Sequence, residues 1–473
     1  LSLKNGIWKV ANRAAMWNLL GSRILDKDLD IFKSLAVSVL REPNPAFELS
    51  AEERFSASIY GKVLEHSDEL RRGIAEGLAI LGSQPQACGY CSEGKAEAVS
   101  ALAIREILSD ADWVLWGSLN NLLPTLAEAS PGEFLNAVER ALSLRPCPFD
   151  ELFAQEGDGI TGGNYLTGLL WALEGLAWDE QHLVRVCVAL GDLASHDSGG
   201  QWANRPSNSL TTILLPWLPQ TLAGIDKREV AVQTLLKESP DIAWNLLIRL
   251  LPGQNEISSG SYKPNWRKKI PEDWGKKVTT QEYWQQAFFF AELAVSAAGY
   301  DVARLSELIE HFDHLPEPAF NRLLEVLASK AICELPEDQR VLLWDHLNRF
   351  TNKHRRFSDA KWALKGDLIS RIEHVAEKLA PANPFNLYQY LFSDQDFDLY
   401  EENDNWEEQQ RKLDERREKA IIEIFKQNGI DGVIRFAESV VSAIQVGYAL
   451  GAIADDLIDR KSTRLNSSHV SES

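Results

Sequence analysis

Methionine is nearly absent, with Met16 alone in 473 residues, and cysteine is scarce, at five. So few cysteines in so long a chain point to a reducing compartment, and a cytoplasmic location is expected. No apolar run is long enough to span a bilayer, and no charged-then-apolar leader opens the chain, so neither a membrane span nor a signal peptide is expected. Positive charge is in deficit: 49 Lys and Arg stand against 69 Asp and Glu, a net −20. That balance argues against phosphate neutralisation as the task of the whole surface, although local basic patches remain. Alternating runs of Val, Ile and Thr are nearly missing, which argues against a sheet-based fold. No G-x-x-x-x-G-K-[ST] loop occurs, so the chain carries no P-loop ATPase core.

What is present is a globular composition, 45% hydrophobic and 25% charged, with a mean hydropathy of −0.23. Helical periodicity dominates. Leu305, Leu308, Ile309, Phe312 and Leu315 fall on one face of a helix, with Glu307, Glu310, His311 and His314 opposite. Comparable stretches recur from Leu70–Leu81 to Val433–Ile453, with Trp113–Ala129 read as one helix and another beginning at Phe288. Ser130-Pro131 and Ser239-Pro240 each place a capping hydroxyl before a proline at the first helical position. Asn136, Arg140 and Leu142 recur after the second of these as Asn245, Arg249 and Leu251, a displacement of 109 residues. Three hairpins of about 36 residues would fill it, near the ~34-residue tetratricopeptide spacing, but the Trp, Leu-Gly and Tyr signature is missing. The expected fold is therefore all-α: an irregular α-solenoid of antiparallel helical hairpins, tetratricopeptide-like with degenerate repeats.

Periodicity lapses between Pro252 and Thr280, which divides the chain into a helical-repeat half at 1–252, a polar, basic and aromatic loop or linker at 253–280, and a second helical half at 281–458. The acidic stretch from Asp394 to Glu408 is a second candidate break. Residues 459–473 read as a non-native tail, because Asp459 to His469 matches the translation of a sequencing-library adapter. With no initiator at Leu1, the natural protein is expected to extend both upstream and past Ile458.

Motifs that could carry chemistry are few. Gly157-Asp158-Gly159-Ile160-Thr161-Gly162 fits G-x-G-x-x-G, but no strand precedes it, so a turn between helices is the better reading. Cys88-Gly89-Tyr90-Cys91 lacks the second ligand pair a zinc site needs, and Cys147, Cys187 and Cys333 fit small buried or near-surface thiols. Glu307, Glu310, His311 and His314 could begin a metal site, which one helix cannot finish, and His196-Asp197-Ser198 is mere adjacency. No catalytic residue, metal or cofactor is therefore expected. Lys353, His354, Arg355 and Arg356 read as an exposed turn between helices.

Two loops are candidates for partner binding. One carries Trp202, Asn204, Arg205 and Asn208, whose alternative is a loop knit by hydrogen-bonded Asn side chains. The other runs from Tyr262 to Trp284, with six basic and three acidic residues interleaved with aromatic ones; Tyr262, Lys263, Trp266, Arg267, Lys268, Lys269 and Trp274 are its candidate contacts. Such a mixture suits a protein interface, and less readily single-stranded nucleic acid.

Ala172–Trp178, Trp202–Pro206, Leu214–Pro219, Pro264–Arg267 and Gln445–Leu450 together resemble the helical C-terminal region of large bacterial STAND-type NTPases of antiviral defence. The resemblance covers most of residues 60–458. It implies an upstream ATPase and effector, with this region binding a foreign protein, such as a phage protein, and triggering oligomerisation through the upstream domains. It transfers no catalytic residue. The alternative is a freestanding helical scaffold or nucleic-acid-binding array.

Overall fold

The structure, a computed structural model, describes residues 2–4, 6–10, 12–155, 163–200, 202–253, 257–267, 270–276, 278–393, 399 and 406–454. The Gly157–Gly162 motif, Lys268, Lys269, Lys277, most of the acidic stretch and the 459–473 tail lie outside those residues. The chain is all-α and repeat-like, apart from a small antiparallel hairpin of β1 (Ser2–Lys4) and β2 (Ile7–Lys9). It divides into two compact units, the first ending at Phe290 and the second beginning at Ala291.

In the first unit, α1 (Arg13–Leu20) leads into α2 (Asp26–Leu40), α3 (Asp68–Ser83), α4 (Lys95–Ile107), α5 (Trp113–Ser118), α6 (Leu123–Ala129) and α7 (Pro131–Ser143). Then come α8 (Pro148–Ala154), α9 (Thr167–Ala177), α10 (Leu183–Ser195), α11 (Pro206–Leu214), α12 (Ile225–Glu238), α13 (Pro240–Leu250) and the first part of α14 (Thr280–Ala298). Helices α3, α6, α9, α11 and α13 pack each against the next as one row, and α2, α4, α7, α10 and α12 form the other. Packing between the rows closes the core. Each helix buries an apolar stripe: Phe134, Leu135 and Val138 in α7, and Val186, Cys187 and Leu190 in α10, are wholly enclosed.

Three readings of the sequence are corrected here. The self-similarity between α7 and α13 is not a repeat register, because α7 stands in one row and α13 in the other. The short α8 causes the shift: it packs on α5 and α7 as an extra helix rather than as half of a hairpin. Pro131 and Pro240 do open their helices, but neither serine hydroxyl caps; Ser239 Oγ turns to Asp192 Oδ1 at 3.4 Å instead. Trp113–Ala129 is broken by a 3-10 turn at Asn120–Leu122.

Helix α14 begins eight residues before the expected Phe288. Thr279 Oγ1 accepts from Glu282 N at 3.1 Å while Glu282 Oε2 accepts from Thr279 N at 2.9 Å, a reciprocal cap that the Thr-x-x-Glu spacing encodes.

The second unit continues with α15 (Val302–Glu310), α16 (Glu317–Leu327), α17 (Lys330–Cys333), α18 (Glu337–Arg356) and α19 (Gly366–Leu379). It ends with α20 (Pro384–Tyr388), α21 (Trp406–Ser439) and α22 (Ala443–Ala452). The run of α21 is broken at Gly429, whose φ of 66° is left-handed. Leu391, Phe392, Ile421, Ile424, Phe436 and Val446 form a core around that break. Buried Arg417 donates to Leu391 O at 2.7 Å there. The Lys353–Arg356 cluster is not an exposed turn. It is the last turn of α18, where positive charge suits the helix dipole. His354 is buried between Phe350 and Trp362, and its Nδ1 accepts from Leu364 N at 3.0 Å.

Candidate functional site

Two acidic side chains that the sequence reading passed over organise the candidate loops. Glu128 sits on the last turn of α6 within Leu126-Ala127-Glu128-Ala129, and it is buried. Its carboxylate accepts from the backbone N–H groups of Asn265 at 2.8 Å, Trp266 at 2.7 Å and Arg267 at 3.0 Å. Arg267 also donates through its guanidinium to the carbonyls of Glu128 and Ala129, the latter at 2.9 Å. Charge-assisted bonds of this kind are the strong ones, and here they pin one chain segment to another 137 residues away.

Glu174 repeats the device on α9. It accepts from Tyr262 N at 2.8 Å and from Ser209 Oγ at 2.6 Å. Burial holds its carboxyl above the usual carboxylate value despite both bonds. Around these two anchors the aromatic residues pack on each other. Tyr262 stacks on Trp171 at 5.7 Å, its carbonyl accepts from Trp178 Nε1 at 3.0 Å, and Trp178 meets Trp274 edge-on at 4.8 Å. Lys263 Nζ lies 5.8 Å from the Trp178 ring and 5.1 Å from that of Trp274.

The residues read as a loop or linker belong to the first unit, where 257–267 laces across α6 and α9. Tyr262, Arg267 and Trp274 are tied to this framework through side-chain contacts, and Trp266 through its backbone. The other candidate loop is tied in the same way. Arg205 is buried and pairs with Asp197 at 2.9 Å. Asn208 donates to Ala203 O at 2.7 Å and accepts from Arg249 at 2.6 Å, and Asn204 reaches Thr167 at 3.2 Å.

A folded-state pKa raised by burial has a testable sign. A carboxyl so raised favours folding below its ordinary value and loses that contribution as pH climbs through the raised value. Glu174→Gln keeps one oxygen to accept from Tyr262 N, turns an NH₂ toward Ser209 Oγ, which can accept from it, and carries no charge. Urea midpoints at about pH 4 and about pH 7 are expected to show the variant matching the parent in acid and equalling or exceeding it at neutrality. A variant less stable at neutral pH would contradict this account.

A different stretch presents apolar side chains outward. Between α2 and α3, the segment Glu53–Lys62 is wound into consecutive turns, with Ala57 N bonded to Arg54 O, Ile59 N to Ser56 O, Tyr60 N to Ala57 O and Lys62 N to Ala57 O. Arg54 roots it: Nη2 donates to Gln155 Oε1 at 2.5 Å, and the guanidinium covers the rings of Phe47 and Tyr165 at 4.9 and 5.5 Å. On the outer side Phe55, Ile59, Tyr60 and Val63 stand 73%, 83%, 56% and 61% exposed. Large apolar side chains held in water by a rigid base mark an interaction surface better than scattered ones do. The sequence carries the signal in Phe55-Ser56-Ala57-Ser58-Ile59-Tyr60, a short apolar and polar alternation that forms no strand here.

The paired cysteines fill a core. Cys88 is buried with Leu29, Leu81, Ala96 and Val99, burial pushes its thiol up to about 11, and Cys91 Sγ donates to Ile24 O at 3.3 Å. Neither forms a disulfide.

No family model and no curated protein matches the chain. Among solved structures it is similar to a circular tandem repeat protein with novel repeat topology and enhanced subunit contact surfaces, at 12% identity and a TM-score of 0.30, over 94% of this chain and 100% of that one.

Proposed function

We propose that this chain is the protein-recognition region of a larger STAND-type defence NTPase, contacting a foreign protein through the Phe55–Val63 surface and relaying binding to the ATPase. One observation carries the reading: Phe55, Ile59 and Tyr60 exposed on a segment whose backbone is bonded turn by turn and anchored by Arg54, with exposed Val63 immediately after it. Rigid aromatic anchors lose little entropy on binding, which is what a hot spot requires. Glu48, Glu52, Glu53 and Glu65 outnumber Arg54 and Lys62 around them, so the matching partner offers an apolar pocket with a basic rim. The same acidity disfavours nucleic acid. The loops at 199–208 and 262–284 then act as internal ties that hold the scaffold, rather than as the contact itself.

The test places a photo-crosslinking residue at Ile59, and at exposed Glu180 as control, in cells challenged with a phage panel. The expected result is one phage protein crosslinked from position 59 alone. Its purified form then binds with a Kd in the micromolar range or tighter, at least about 100-fold weaker to a Phe55→Ser/Ile59→Ser/Tyr60→Ser variant. Equal binding by the triple variant, or capture of nucleic acid with steep salt dependence, would overturn it. The genomic reading frame around this chain is expected to encode a P-loop upstream, and a frame without one would remove the NTPase part of the proposal.

A further inference from the structure

The fold brings two metal-ligating side chains from the start of one helix against a third that lies 46 residues further along the chain. Cys147 immediately precedes α8, Asp150 lies on its first turn, and His196 follows the end of α10. The Cys147 sulfur, an Asp150 carboxylate oxygen and a His196 ring nitrogen all lie within 4.8 Å of one another, the convergent group of this kind among the described residues. Glu307, Glu310, His311 and His314, the cluster the sequence suggested, form no such group among those residues. Asp150 Oδ1 and His196 Nδ1 are already in contact at 2.6 Å.

We propose that Cys147, Asp150 and His196 bind a single divalent transition-metal ion, Zn²⁺ in the first instance, with its fourth position open to solvent. Zn²⁺ takes sulfur, nitrogen and carboxylate oxygen together at about 2.0–2.3 Å in a tetrahedron. Ligand atoms within 4.8 Å of one another reach that arrangement with small rotations, since the Asp150–His196 contact need only open to admit the ion. Access is graded: Cys147 is fully enclosed, whereas the His196 and Asp150 side chains are 17% and 49% exposed. The ion therefore enters from the carboxylate side and keeps a water or exogenous ligand there.

The surrounding charge suits a cation. Asp192, one turn before His196 on α10, is close enough to interact with the imidazole, while Arg145, the positive group facing Cys147, spends its Nη1 donors on the carbonyls of Leu142 and Leu144 at 2.8 and 2.7 Å. Binding balances as loss of the Cys147 thiol proton to solvent, while the imidazole carries its N–H on the ring nitrogen away from the ion and the other nitrogen and the Asp150 carboxylate turn their lone pairs from each other to the ion. A nucleophilic Cys–His–Asp site is the weaker reading of the same trio. An enclosed sulfur gives no substrate a path of attack, and reactive thiols sit in partly exposed positions. The ion would clip α8 to the end of α10, at the root of the loop that carries Arg205.

The experiment uses the full chain, stripped by chelator and titrated with Co²⁺ and then Zn²⁺. The expected result is one equivalent of Co²⁺ bound with a near-ultraviolet sulfur-to-cobalt charge-transfer band, which Zn²⁺ displaces. Asp150→Asn and His196→Ala alter partly exposed positions, and each is expected to weaken binding by at least roughly 100-fold, the upper end of what loss of an outer partner costs. Cys147→Ser is expected to abolish the band, and Cys88→Ser/Cys91→Ser to leave it intact. Absence of the band in the parent chain, or a band that survives Cys147→Ser and disappears with Cys88→Ser/Cys91→Ser, would overturn the proposal.

Discussion

Glu128→Ala is expected to cost the first unit about 3–5 kcal/mol, the range for removing one partner of a buried charged cluster. The carboxylate satisfies three consecutive backbone N–H groups, and the alanine variant leaves all three without it and removes the negative charge felt by Arg267, whose bonds to the carbonyls of residues 128 and 129 are backbone contacts. Each hydrogen bond to a charged group contributes roughly 1.5–3 kcal/mol, so the sum would reach or exceed the top of the stated range if the loop stayed in place. It does not have to. Once its docking energy is lost, the 257–267 segment can leave α6 and hydrate, which caps the cost. Two readouts follow: a lowered urea midpoint, and new proteolytic cuts between Ile257 and Trp274. Glu128→Gln should fall between parent and alanine, since one amide oxygen accepts but the NH₂ group opposes the N–H donors. Unchanged proteolysis in Glu128→Ala would mean that the aromatic stack of Trp171, Tyr262, Trp178 and Trp274 holds the loop unaided.

Gly168→Ala should be as damaging for a different reason. At the start of α9 a Cβ on Gly168 would lie 1.7 Å from the backbone oxygen of Asn120, while its N–H donates to Asn120 Oδ1 at 2.7 Å. Backbone on both sides leaves nothing flexible to yield, so α9 must retreat from the 3-10 turn at Asn120–Leu122. Overpacking of this sort costs about 3 kcal/mol or more, at the upper end of its usual range. Gly82 on α3 predicts the same outcome, its Cβ 1.9 Å from Ala129 O. Gly73 on α3 and Gly132 on α7 meet nothing within 4 Å, and Ala there should stabilise by about 0.4–1 kcal/mol. Thermal melts of the four single variants check both signs. A Gly168→Ala melt within error of the parent would show that the two segments are less closely held than described.

Helix existence was legible wherever one face is apolar and the other is not. In α15, Leu305, Leu308, Ile309 and Phe312 are all buried as their spacing requires, although the helix ends at Glu310 and Phe312 sits in a 3-10 turn. The periodicity failed at α2, which the sequence reading left out. Its outward face is mixed, with Ile31 and Leu35 exposed among Lys27, Asp30, Ser34 and Ser38, so its contrast with the buried Leu29, Ala36 and Val39 is blunted. Proline starts were readable because the ring fixes φ locally; the capping role assigned to Ser239 was not, because its hydroxyl found a partner on another helix.

Composition and periodicity by themselves determined the all-α class, the run of short helices, their proline starts, the acidity and the lack of a P-loop in this chain. These follow from local backbone preference and from which residues shun water, and both are written residue by residue. Only the tertiary structure decided which row each helix joins, that Glu128 and Glu174 lace the aromatic segment onto α6 and α9, and that Cys147, Asp150 and His196 meet. Those depend on partners separated in the chain by 137, 88 and 46 residues. A charged residue inside an apolar helix signals that a partner must exist, because an unpaired buried charge is too costly to keep. Its position alone cannot say which distant segment supplies the partner, since that choice is made by packing.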